Sequence, residues 1–70
     1  MKEALGLIIA NYRSQLGLTQ EYIAFKMGIT VNSYANIERG RVAVNIEKLY
    51  ILANVLDVKV HDIIAQAESI

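Results

Sequence analysis

The stretch TQEYIAFKMGITVNSYANIERG, residues 19–40, decides the fold. Ile23, Ala24 and Met27 recur at the spacing of one face of a short helix. Thr19 stands before that helix with a hydroxyl suited to capping it, and Glu21 suits the positive end of its dipole. Gly28 closes the helix, and Thr30 is a second cap. The segment after it, about Val31 to Arg39, spaces Tyr34 and Ile37 to face inward, and Gly40 stops it. Two short helices held at a wide angle across a tight turn need a small residue at their crossing, which Ala24 supplies. They need a glycine at the turn, Gly28, and apolar residues that fix one helix to the other. Ile23, Met27, Ile29, Tyr34 and Ile37 stand at mutually consistent spacing for that purpose.

Outward from this centre the same helical period continues. Leu5, Ile8, Ile9, Tyr12 and Leu16 predict a helix over Lys2 to Leu16, ended by Gly17. After a short loop from Arg41 to Val44, Asn45 is a third cap. The helix it opens runs to about Leu56, with Ile46, Leu49, Leu52, Ala53 and Leu56 facing the core. A last helix covers about Val60 to Ala67, anchored by Val60, Ile63 and Ile64 and led in by Val58. Several segments are rich in Ile and Val, but the alternation of a half-buried strand is confined to Val58-Lys59-Val60. The expectation is an all-α, five-helix single domain over residues 1–70. It contains a helix-turn-helix at about 19–39 and C-terminal helices at 45–67.

Composition removes several function classes. There is no cysteine, so disulfides and thiolate metal sites are excluded, and the single histidine, His61, builds no metal centre alone. His61 reads as a surface residue near a helix start. With no glycine-rich phosphate loop, no clustered carboxylates and too little chain for a shielded pocket, an enzyme is rejected. No cofactor, metal or small-molecule ligand is expected. No apolar run approaches the roughly 18 residues of a membrane span, and no secretory segment is visible, so the chain reads as cytoplasmic. Seven basic residues balance seven acidic ones. That neutrality counts against nucleic-acid binding, which usually leaves a basic footprint. Hydrophobic residues make up 54% of the chain, above the roughly 45–50% usual for soluble domains, so apolar surface is available for a partner.

The sequence resembles the lambda repressor and Cro group of helix-turn-helix regulators, the XRE type. The resemblance is carried by Arg13, Leu18-Thr19-Gln20-Glu21, Ile23-Ala24, Gly28-Ile29-Thr30, and Tyr34 with Ile37-Glu38-Arg39-Gly40. It continues through Asn45-Ile46, Leu49, Leu52-Ala53, Leu56 and Val58 to Ile63-Ile64. It implies a lambda repressor-like domain that binds double-stranded DNA. On that reading Val31, Asn32, Ser33, Ala35 and Asn36 form the outward face of the recognition helix. Asn32 and Asn36 match adenine's donor–acceptor pair in the major groove, and Val31 and Ala35 meet thymine methyls. Gln20, Arg39 and Arg41 hold phosphates, with Thr30, Ser33 and Asn45 as further backbone contacts. Arg13 and Glu38 correspond to an internal ion pair, which takes one carboxylate out of the charge balance near the DNA face.

The chain departs from the family at Val44, where proline is frequent, and at Lys59, where a capping Ser or Thr is usual. It is also apolar at Leu7, Tyr22, Phe25 and Ile51, positions the family keeps polar. Together these suggest a surface for a partner. Ile51, Val55, Ile64 and Ile70 are the candidate dimer interface, with local core as the other reading. Tyr22 and Phe25 either pack locally or meet a different protein. The leading reading is a transcriptional regulator, a repressor or autoregulator that binds an inverted repeat as a homodimer. The other is a protein-interaction module of coactivator or antitoxin type that keeps the fold without specific DNA binding.

Overall fold

The computed structural model describes residues 1–69; Ile70, a member of the candidate dimer face, lies outside the described residues. Five helices follow one another, and no strand occurs among the described residues: α1 Lys2–Gln15, α2 Gln20–Met27, α3 Val31–Glu38, α4 Ile46–Leu56 and α5 Val60–Glu68. The architecture is the all-α, five-helix domain expected from the sequence.

The starts of the three middle helices are set by side-chain caps. Thr19 Oγ1 accepts from the Tyr22 amide, Thr30 Oγ1 from the Ser33 amide, and Asn45 Oδ1 from the Lys48 amide. Each cap satisfies a first-turn N–H that has no partner inside its helix, and loss of one costs about 1 kcal/mol. Lys59 makes no such cap, and α5 begins without one. Gly28 ends α2 at φ 72° and returns its amide to the carbonyl of Phe25, so the chain reverses into α3 within three residues. The stop of α4 is less obvious from sequence. Asp57, not a glycine, takes the left-handed conformation there, at φ 57°.

Ile9, Ile23, Tyr34, Leu52, Leu56 and Ile63 are the largest fully buried side chains, and they come from all five helices. Each large aliphatic side chain among them contributes about 1.5–3 kcal/mol by leaving water. α1 packs on α3 and α5, α2 on α3 and α4, and α4 on α5. The α1–α3 crossing is close because position 6 is glycine. A Cβ there would stand 2.5 Å from the carbonyl oxygen of Ile37 and 2.6 Å from that of Glu38. Just beyond, Gly40 brings the end of α3 against the Glu3 backbone, leaving no room for a side chain.

Two inward assignments differ from the periodicity. Ile46 is 58% exposed, not in the core. It is the first residue of α4, in the helix's opening turn, whereas Leu49 and Leu52 further along are buried. Leu16, predicted as the last apolar position of α1, is exposed because the helix ends at Gln15 and the chain turns away through Gly17.

Candidate nucleic-acid interface

The outward side of α3 follows from its burial. Each residue advances the helix by about 100°. Tyr34, Ile37 and the Glu38 side chain define the inner arc, and Ala35 falls on its shoulder. Asn32, Ser33 and, part-buried, Asn36 lie on the opposite arc, with the exposed Arg39 one turn further along from Ala35 and Asn36. Val31, at the tip, is exposed. Ala35 is 6% exposed, so it sits on the packed shoulder of α3 and not on the open outward face expected for it. The exposed face therefore carries amides and a hydroxyl, with one apolar residue at its leading end. With its side chains an α-helix is about 10–12 Å across, so α3 fits the roughly 12 Å width of a major groove.

Behind this face lies a polar hub centred on Glu38. Its Oε2 accepts from Arg13 Nε at 2.5 Å and from the Tyr34 hydroxyl at 2.5 Å. Its Oε1 accepts from Arg13 Nη2 at 3.1 Å and from Gln20 Nε2 at 2.9 Å. Arg13 spends its remaining nitrogen on the Leu18 carbonyl, 2.9 Å away. Side-chain exposure is 19% for Arg13 and 8% for Glu38, so the pair is a largely buried tie between α1 and the end of α3. Burial pushes the Glu38 carboxyl upward, but the hydrogen bonds from Arg13, Tyr34 and Gln20 outweigh it and hold the group below its ordinary range. The bond to Glu38 raises Arg13 against the opposing effect of burial, and burial with the same carboxylate raises Tyr34. Tyr34 and Gln20 were absent from the expected ion pair. Tyr34 stands one turn before Glu38 on α3 and meets it through helix geometry alone, whereas Gln20, 18 residues away on α2, reaches it only through the fold.

Gln20, expected on a phosphate, is thus fixed by Glu38 at the first position of α2. One of its amide hydrogens and its carbonyl oxygen remain beyond that bond. Thr30 and Ser33 are tied to each other, Thr30 Oγ1 donating to Ser33 Oγ at 2.9 Å while capping the helix. Asn45 is committed to its cap at the start of α4. Arg39 and Arg41 are exposed, and among the described residues neither pairs with a carboxylate. The three polar anchors Gln20, Thr30 and Asn45 all stand at helix N-termini, where backbone N–H groups and the helix dipole favour an anion.

The candidate partner surfaces divide. Ile51 is exposed, whereas Val55 and Ile64 are part-buried and pack against the core. Leu7, Tyr22 and Phe25 are all exposed, Phe25 at 79%, with Lys26 Nζ 5.7 Å from the centre of the Tyr22 ring. The sequence reading passed over Tyr50, exposed on α4 one turn from Ile46. Among the described residues no helix is long and apolar enough to cross a membrane.

Comparison with known proteins agrees with this geometry. The profile of the helix-turn-helix family matches residues 9–63. The structure is similar to that of the clp gene regulator ClgR from Corynebacterium glutamicum, with a TM-score of 0.91 and 28% identity over 97% of this chain and 88% of that one. A second crystal structure of ClgR superposes with a TM-score of 0.93 at 28% identity, over 97% of this chain and 72% of the other. The restriction-modification controller protein C.AhdI from Aeromonas hydrophila is similar over 87% of this chain and 92% of its own, with a TM-score of 0.82 and 28% identity. No curated protein sequence gives a significant match.

Proposed function

Because the chain belongs to the XRE-type helix-turn-helix family, we propose that it is a transcriptional regulator that binds double-stranded DNA in the cytoplasm as a homodimer. The observation that carries the reading is the outward face of α3, where the exposed Asn32 and the part-buried Asn36 carry amides. An asparagine side chain offers one donor and one acceptor, the pair adenine displays in the major groove. Arg39 and Arg41, with Gln20 and the helix N-termini around it, hold the phosphates that set the register. The similar structures are those of a gene regulator and a restriction-modification controller, and repression or autoregulation of a small operon is the corresponding role here.

Size supports pairing. A protomer of 29 × 23 × 21 Å is small enough for a two-fold pair to set its recognition helices about one DNA turn, roughly 34 Å, apart. The site is then an inverted repeat, and Ile51 sits in the dimer interface. Selection from a random duplex pool at low salt tests the reading. It predicts an enriched inverted repeat with half-sites one turn apart. A folded protein that enriches nothing would overturn it.

The second reading is a protein-interaction module, and the exposure of Phe25 beside Tyr22 favours it. It predicts no enriched site and a tight protein complex that Phe25→Ser abolishes.

A further inference from the structure

α1 and α5 pack directly on each other, and an open groove of about 280 Å³ runs between them. Ile8, 4% exposed, is its apolar floor. Asn11 and Gln15, one turn apart on α1, line it together with Gln66 of α5. The half-buried Tyr12 joins the two helices: Gln66 Nε2 donates to the Tyr12 hydroxyl oxygen. That bond fixes the Gln66 carboxamide. It leaves the Tyr12 hydrogen, the Gln66 carbonyl oxygen and one Gln66 N–H to pair elsewhere. Among the described residues the Asn11 and Gln15 side chains make no hydrogen bond to the protein. No lining side chain is charged, and none belongs to the face assigned to DNA.

We propose that this groove binds a neutral, polyhydroxylated small molecule of one ring, a hexopyranose. A carboxamide sets a donor and an acceptor side by side, and neighbouring hydroxyls, each both donor and acceptor, match that pair. Three carboxamides and a phenol therefore suit several hydroxyls at once, while Ile8 and the Tyr12 ring offer apolar surface to the sugar's C–H groups. A phosphate or carboxylate would leave water with no cation in the lining to receive it. An apolar ligand would cover amides and leave them unpaired. The volume lies just below the roughly 300–1,000 Å³ of small-molecule sites, which limits the occupant to a single ring. The sequence gave no sign of a ligand because Gln66 is far along the chain from Asn11 and Gln15, and only the α1–α5 packing unites them. The site is built from α1 and α5 alone, so it stands or falls apart from the DNA-binding reading.

Side-chain amide signals make this measurable in the free, nitrogen-15-labelled protein, titrated by NMR with D-glucose, D-galactose and D-mannose in turn. An occupant of about twelve non-hydrogen atoms at ordinary ligand efficiency gives a dissociation constant of about 2 mM. With at least one of these sugars the Asn11, Gln15 and Gln66 amide signals should shift and saturate. The Gln20 signal, held by Glu38 on α2, should stay in place. Asn11→Ala and Gln15→Ala, each at an exposed position, should raise the dissociation constant about fivefold, the worth of one hydrogen bond, and leave the melting temperature unchanged. The uronate of the same sugar should bind more weakly than the neutral form. Shifts that are absent, or that rise linearly without saturating, for all three sugars would overturn the assignment. So would a dissociation constant unchanged in both variants, or tighter binding of the uronate.

Discussion

Removing the Arg13 guanidinium should cost far more than a surface substitution. In Arg13→Ala three hydrogen bonds disappear, two to Glu38 and one to the Leu18 carbonyl. The Glu38 carboxylate stays behind, with 8% of its side chain exposed and only Tyr34 and Gln20 to stabilise it. Breaking a buried pair from one side costs about 3–5 kcal/mol. The two surviving donors and Arg13's 19% exposure place this case near the lower end, at about 3 kcal/mol. A 70-residue domain holds about 3.5–10 kcal/mol in total, so the loss is a third or more of it. At about 4–8 °C per kcal/mol, the melting temperature should fall by about 12–24 °C at neutral pH. Thermal unfolding followed by far-UV circular dichroism measures this. The double variant Arg13→Ala/Glu38→Ala should lose less than the sum of its singles, because no unpaired charge remains. A drop under about 4 °C would refute the reasoning, since that is the worth of a solvated surface pair.

Other consequences follow from the same geometry. Because the Glu38 carboxyl is held below its ordinary range in the folded state, its contribution is full above the unfolded value of about 4.3 and is lost as pH falls through the folded value. Wild-type melting temperature should decline across that acid window, and Glu38→Gln, less stable at neutral pH, should show a shallower decline there. Gly6→Ala drives a methyl into the Ile37 and Glu38 carbonyls, and calorimetry should register about 2 kcal/mol of destabilisation despite alanine's better helix propensity. Asp57→Gly relieves a left-handed residue at the end of α4 and should raise stability by about 1 kcal/mol in urea titration, whereas Asp57→Ala should lower it.

Much of the fold was legible because it is written locally. Thr19, Thr30 and Asn45 each cap a helix within three residues of themselves, and Gly28 makes its turn from its own backbone freedom. Ile9, Ile23, Leu52 and Ile63 follow the helical period onto buried faces. What escaped the sequence depends on how elements meet. Ala35 carries no pattern signal, and its burial is decided by where the neighbouring helices pass. Ile46 obeys the period yet is left exposed at the first position of α4. The hub at Glu38 joins residues from α1, α2 and α3, so no single window contains it.

The account turns on whether Asn36 reads a base. The most direct measurement is the affinity of wild type and Asn36→Ala for the selected operator and for every single-base substitution within one half-site. Wild type should lose about 1–3 kcal/mol at one adenine, and Asn36→Ala should bind all four bases there within a few-fold while keeping its preferences elsewhere. An unchanged preference profile in Asn36→Ala, or a wild type that binds every duplex alike, would contradict it.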